Sequence, residues 1–223
     1  MVAIESTVGE VEEVIGLVKS TGLLIAVENL VVGYNKPFVS AFAERFYGET
    51  NTFYLLVGEM TINSNDAKLI TELSIEGKSA NHKNYGQELE RDKIYAFTKN
   101  VLQWDEEATK SEMLVGKAKQ RIFHLAGLRY QFMGTKNLRA QGKEVTKERI
   151  FASTNAYVLY ILGSVIFHSA RASTNFIQLL QPFDKIHEYS WGSAILAHSL
   201  NELRKDSRDR RNQIGGNMAH LQV

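Results

Sequence analysis

The sequence predicts a mainly α fold: a single helical domain over residues 1–223, with a small two-stranded β element near residues 52–62. Apolar residues recur at spacings of three and four through most of the chain, the signature of helices with one buried face. Only the stretch from Thr52 to Ile62 is dense in the aromatic and β-branched residues that suit a pleated strand. Two prolines in 223 residues leave the helical runs almost uninterrupted, and a hydrophobic content of 44% is enough to fill a core.

The elements follow in order. Val11, Val14, Ile15 and Val18 line one face of a first helix, with Glu10, Glu12, Glu13 and Lys19 on the wet side and Gly22 closing it. Asn35 is placed to cap a second helix that admits Pro37 in its first turn, carries Phe38, Ala41, Phe42, Arg45 and Phe46, and stops at Gly48. Two short strands are parted by Gly58 and Glu59, and because two strands alone are barely stable they must lie against helices. Asn63, with Asp66 three residues on, opens a helix to about Leu73. Residues 76–87 are polar and loop-like. Helices are expected at 88–103, 117–132 and 146–167, the last capped by Thr146 with Glu148 in its first turn. An apolar segment occupies 174–188, and Ser190 is placed to cap a helix to about Ser207. Met218 to Val223 ends in mid-pattern, which reads as a fragment; two lobes joined near 104–116 are the alternative to one unit.

Charge and composition exclude several classes. The net charge of +1 makes no global field for nucleic acid or membrane. The two halves differ, however: residues 1–100 carry a net −5 and the remainder a net +6, so an anionic partner would meet the second half. With no cysteine, disulfides, thiolate catalysis and cysteine zinc sites are excluded. The apolar run Ala156 to Phe167 is shorter than the roughly 20 residues a bilayer span needs and reads as a buried helix.

Chemical motifs are sparse. Gly77-Lys78-Ser79 resembles the end of a phosphate-binding loop, but the required earlier glycine position holds Glu72. No two of His82, His124, His168, His187, His198 and His220 stand three or four apart, so no helix presents a paired metal set. Glu59 is the most prominent acid, read as a turn residue accepting backbone N–H groups. The strand region carries no Asp of the kind an acidic nuclease core would place there. Arg204, Lys205, Arg208, Arg210 and Arg211 form a basic helix end that could meet phosphates or could simply be solvated near a helix C-terminus. Trp191 reads as a core anchor, and Gly163 and Gly192 as places where helices approach closely.

Three stretches together resemble one family. They are Val39 to Leu55 continued by Val57-Gly-Glu-Met-Thr-Ile62 and the helix from Asp66; Ala156 to Phe167; and Tyr189 to Leu200, closed by Gln213-Ile-Gly-Gly216. In order and separation they are similar to the plant mobile domain, also labelled "aminotransferase-like, plant mobile domain". Gly58, Glu59, Thr61, Trp191, Gly192, Gly215 and Gly216 are its structural signature in this chain. Where the family often has Arg-Trp, Pro-Glu-Thr and a proline after the Phe-x-Leu run, this chain has Arg45-Phe46, Gly48-Glu49-Thr50 and Leu56.

The resemblance implies a transposon-derived, non-catalytic interaction domain working in the nucleus, in transposon silencing, gene expression and meristem development. It implies a protein partner of phosphatase-like type and supplies no catalytic residue. No cofactor, metal, membrane or small-molecule substrate is expected. The alternatives are a domain that binds DNA or chromatin through the basic helix end, and an enzyme whose site is assembled from scattered residues. An interaction domain should show an exposed apolar patch, expected on the helical surface.

Overall fold

The computed structural model describes residues 9–30, 36–80, 89–114, 122–167 and 171–209. Along the chain these form α1 (Glu12–Ser20), α2 (Leu24–Leu30) and α3 (Lys36–Ala43), then strands β1 (Phe46–Tyr47), β2 (Thr52–Leu55) and β3 (Gly58–Met60). There follow α4 (Ser64–Thr71), α5 (Arg91–Leu102), α6 (Glu106–Leu114), β4 (Ile122–His124), α7 (Leu125–Phe132), α8 (Thr135–Ala140) and α9 (Lys147–Ile161). A π turn, Leu162–Ile166, extends α9; β5 (Arg171–Ser173) and two 3-10 segments, Thr174–Leu180 and Phe183–Glu188, lead to α10 (Trp191–Asp209). The expected mainly α class is the observed one. Asn35 lies outside the described residues, as do most of 76–87.

Helix α9 organises the packing. Residues 152–159 are buried on every side, and α7, α1 and α5 pack around them. Thr146 caps the helix as expected, its hydroxyl accepting from the Arg149 N–H at 3.2 Å. Each of the three polar side chains in this buried run donates to a carbonyl, Ser153 to Phe132, Thr154 to Ile150 and Asn155 to Phe151, while Asn155 Oδ1 is buried without a partner among the described residues. The expected single helix over 146–167 is therefore an α-helix ending at Ile161 and a π turn beyond it.

Long-range pairing overrides helical spacing at two places. Residues 117–132 are not one helix: Ile122–His124 forms an antiparallel ladder with Arg171–Ser173, which seats Phe123 fully buried beside Trp104, ring centroids 5.8 Å apart. Phe46 does not extend the helix before it but pairs with Phe53 in β1, where both rings are buried. β1, β2 and β3 form a three-stranded antiparallel meander, one strand more than expected. A small second core of Val39, Ala43, Phe46, Phe53 and Leu203 holds it against α3 and α10.

Glu10, expected on the wet face of α1, is buried because it precedes the helix and serves another one. Its carboxylate accepts from the Gly134 N–H, from the Thr135 N–H at 3.2 Å and from the Thr135 hydroxyl at 2.6 Å. It thereby places a negative charge on the free amides at the N-terminus of α8. The Val11 N–H donates to the Thr135 hydroxyl, closing the contact.

The segment 74–78 is stitched to 188–193. Gly192 donates to the Ser74 carbonyl at 2.8 Å, Ser190 to Lys78 O at 2.9 Å and Lys78 to Glu188 O at 2.8 Å. Ser190 stands at the N-cap position of α10 as expected, its carbonyl accepting from the Ala194 N–H at 3.0 Å, and its hydroxyl donates to Lys78 O at 3.1 Å. Trp191 is the core anchor expected, 2% exposed, with its indole N–H on the Ile186 carbonyl at 2.9 Å. Both expected close approaches are present. A Cβ on Gly192 would lie 2.9 Å from the Leu73 carbonyl oxygen, and one on Gly163 would lie 2.9 Å from Leu125 Cδ2.

These two glycines should respond differently. Gly192→Ala meets fixed backbone and is expected to lose about 1–3 kcal/mol, the usual cost of overfilling a packed site. Gly163→Ala meets the methyl end of the Leu125 side chain rather than backbone, so its loss should be the smaller of the two. Urea denaturation of both variants checks this, and equal losses would refute it.

The stitch also carries an ion cluster. Glu188 pairs with Lys78 at 2.6 Å and Lys185 at 2.7 Å, and hydrogen bonds from Lys185 and Lys78 hold its carboxyl down to about 2. A depressed carboxyl favours the fold above its ordinary value of 4.5, and that contribution is lost as the pH falls from there to about 2. Glu188→Gln should therefore flatten the fall in Tm across this acid window; an unchanged slope would count against the cluster.

Candidate interaction surface

Exposed large apolar side chains concentrate on the meander rather than on the helical surface, where they were expected. Leu56 is 98% exposed, Val57 83% and Met60 52%, and Tyr47 and Tyr54 are exposed beside them. Outside the meander, Leu69 on α4 and Tyr130 on α7 are also exposed.

Burial of the inner face sets the strand register. Phe53 packs on Phe46 and Phe42, with ring centroids 5.0 and 5.8 Å away, and it pairs across the sheet with Met60. A slip of one residue would turn Phe53 outward. This register puts Leu56 and Val57 in the turn, and makes Gly58 and Glu59 the start of β3 rather than the turn itself. Gly58 has φ +125°, a conformation open to glycine. Leu56 occupies the first turn position, where the fixed φ of the family's proline would also fit.

The outer face carries Tyr47, Thr52, Tyr54 and Glu59. The two tyrosine rings lie 4.6 Å apart. Glu59 does not accept backbone N–H groups as expected; its Oε1 accepts the Thr52 hydroxyl at 2.6 Å, and Thr52 in turn meets Thr50 at 2.6 Å. Thr61 donates to the Asn51 carbonyl at 2.8 Å and pins the end of the meander to the β1–β2 turn. Asn63 and Asp66 then form the expected capping box of α4.

The basic helix end is partly absorbed by the fold. Arg204 Nε donates to Asn51 Oδ1 at 2.7 Å, and its stem packs on Gly48, where a Cβ would lie 3.1 Å from Arg204 Cγ. Lys205 pairs with Glu202 at 2.6 Å. Arg208 lies on α10 with its side chain outside the description; Arg210, Arg211, Gly215 and Gly216 lie outside the described residues. Trp191 and Gly192 stand at the other end of α10, roughly 20 Å along its axis from Arg204. Gly58, Glu59 and Thr61 thus build the meander, while Trp191 and Gly192 build the stitch.

A cavity of about 510 Å³ is lined by Gly9, Glu10, Ala126, Arg129, Tyr130, Met133 and Gly134. Its carboxylate, Glu10, is fully engaged by three donors of the α8 terminus. Among the described residues, no group of three or more His, Asp or Glu side chains is placed to hold a metal ion.

The architecture defines a mainly helical domain with a small antiparallel meander packed against α3 and α10. The chain belongs to the plant mobile domain family, whose model matches residues 22–223. It is similar to the protein MAINTENANCE OF MERISTEMS of Arabidopsis thaliana, 31% identical over 196 residues, covering 86% of this chain and 37% of that protein. It is also similar to MAIN-LIKE 1 of the same plant, 28% identical over 191 residues and covering 84% and 35% of the two chains. A serine/threonine-protein phosphatase 7 long form homolog, again from Arabidopsis thaliana, is 29% identical over 194 residues, covering 83% and 13%. The chain spans about a third of the length of the first two of these relatives. No solved structure matches it.

The two described basic residues should separate in their effects. Arg204→Ala is expected to cost about 1–2 kcal/mol, since it removes a charge-assisted bond at a half-buried site. Lys205→Ala should stay below about 1 kcal/mol, as surface ion pairs do. Chemical denaturation checks the order, and a larger loss at Lys205 would contradict it.

Proposed function

We propose that this chain is a non-catalytic, transposon-derived protein–protein interaction domain acting in the plant nucleus, with a phosphatase-like protein as its partner. Its roles are transposon silencing, gene expression and meristem development. The observation that carries the interaction reading is the meander, which exposes Tyr47, Tyr54, Leu56, Val57 and Met60 together on one small sheet. A cluster of this kind is costly to hold in water and marks a surface that a partner covers. Membership of the plant mobile domain family supports the transposon-derived reading; the nuclear setting and the phosphatase-like partner rest on what the family resemblance implies. Contact with nucleic acid through the basic helix end is the weaker reading, because Arg204 and Lys205 already have partners within the fold.

Affinity purification of the tagged chain from plant nuclei tests the proposal. Specific recovery of a phosphatase-like protein, unaffected by nuclease treatment, is expected. Recovery of no specific protein would overturn it, and retention abolished by nuclease would transfer the role to nucleic acid.

A further inference from the structure

We infer that β3 is a docking strand for an extended, arginine-bearing segment of a partner protein, which adds beside it and sets its cation against Glu59 and Tyr54. This rests on the interaction-domain reading and assigns that interaction to one edge.

β3 lies at the edge of the meander, whose order is β1-β2-β3, and each of its three residues is exposed. Its pairing leaves hydrogen-bonding groups open. Tyr54 gives its N–H to Arg45 O at 3.0 Å on the β1 side, so the opposed pair Tyr54–Glu59 exchanges no bonds. The N–H and C=O of Glu59 therefore point to the free edge. An open edge of this kind takes an added strand, with main-chain bonds giving affinity and side chains giving selectivity.

The side chains choose the occupant. In an added antiparallel strand, the residue opposite Glu59 lies on the outer face beside Glu59, with Tyr54 one strand further in on that face. The carboxylate there is steadied by Thr52, and Tyr54, whose exposed ring leans on Tyr47, is its cross-strand neighbour on the same face. A planar guanidinium can stack on that ring and pair with the carboxylate, which a compact ammonium does less well. The neighbours of that arginine project to the other face, beside Met60, so an apolar residue is favoured on each side. Leu56 and Val57 extend the apolar contact from the turn.

Charge argues against the other occupants. Residues 44–72 hold five acids, Glu44, Glu49, Glu59, Asp66 and Glu72, against Arg45, Lys68 and the Arg204 that α10 sets on Asn51, so a phosphate backbone is disfavoured here. A second copy pairing through its own β3 would set one Glu59 opposite another, which is destabilising. A basic, alternating segment of a different protein meets neither obstacle.

The probe is a nine-residue peptide alternating valine and arginine, titrated into the whole chain and followed by fluorescence anisotropy. Binding is expected, with a loss of about tenfold in Glu59→Gln, the scale of one charge-assisted contact. Tyr54→Ala and Val57→Asp should also weaken it, with thermal melts confirming that each variant is folded. The glutamate counterpart of the peptide should not bind, and backbone N-methylation should abolish binding if the peptide adds as a strand. Failure of the parent chain to bind the arginine peptide, or equal binding by Glu59→Gln, overturns the inference. Nuclear purification with Glu59→Gln separates the two readings. A specific partner recovered equally by parent and variant would sink the docking strand and leave the interaction domain standing. Peptide binding without any recovered nuclear partner would do the reverse.

Discussion

Burial of α9 on all sides is the constraint from which the rest of the structure follows. A helix with a wet face needs cover on one flank only, whereas residues 152–159 need it all around. That demand calls α1, α5 and α7 into one packing unit. It also explains the short-range devices around the helix. Ser153 reaches the end of α7 through the Phe132 carbonyl. Gly163 removes the side chain that would hold Leu125 away. Glu10 ties the approach to α1 onto α8. Each would be a minor contact elsewhere; here each keeps a neighbour against the same buried helix.

Much of this was legible in the sequence because the signals are local. The Asn63–Asp66 capping box, the Thr146 cap, the Val14 and Val18 face and the buried Trp191 all depend on residues within a turn or two of one another. What stayed hidden depends on partners far along the chain. Ile122–His124 has helical neighbours, and only β5 turns it into a strand. Phe46 fits the spacing of the preceding helix, and only Phe53 reveals it as sheet. Glu10 shows the same limit in electrostatics, since the amides it serves lie more than a hundred residues on. The family stretches were readable as a pattern, but the reason Gly192 cannot carry a side chain, the carbonyl of Leu73, belongs to the tertiary structure.

The meander obeys a different economy from the core. Its inner face is well packed, with Phe42, Phe46 and Phe53 in ring contact above Leu203. Two side chains lock its rim, Thr61 on Asn51 O and Arg204 on Asn51 Oδ1. Asn51 itself sits at φ +59°, a strained conformation for a residue with a side chain, and is held there by bonds from both sides. The framework is thus fixed where it meets α10 and left open at Leu56, Val57 and Met60. Apolar exposure at the free end therefore does not reflect a poorly made sheet.

The same geometry bears on how an open edge avoids indiscriminate pairing. An exposed strand end with apolar neighbours is a template for aggregation, and proteins blunt such edges with charge or brevity. β3 has both: it is three residues long, and its central residue is Glu59. A carboxylate at that position penalises pairing between identical edges while leaving the main-chain groups open to a segment of opposite charge. Selectivity of this kind needs the acid to be held in place, because a freely turning glutamate would swing away from the strand direction. The Thr50–Thr52–Glu59 chain of hydroxyls supplies that hold. Glu59 on this reading is neither a turn residue nor a catalytic acid but the charge that decides which strand can sit beside β3.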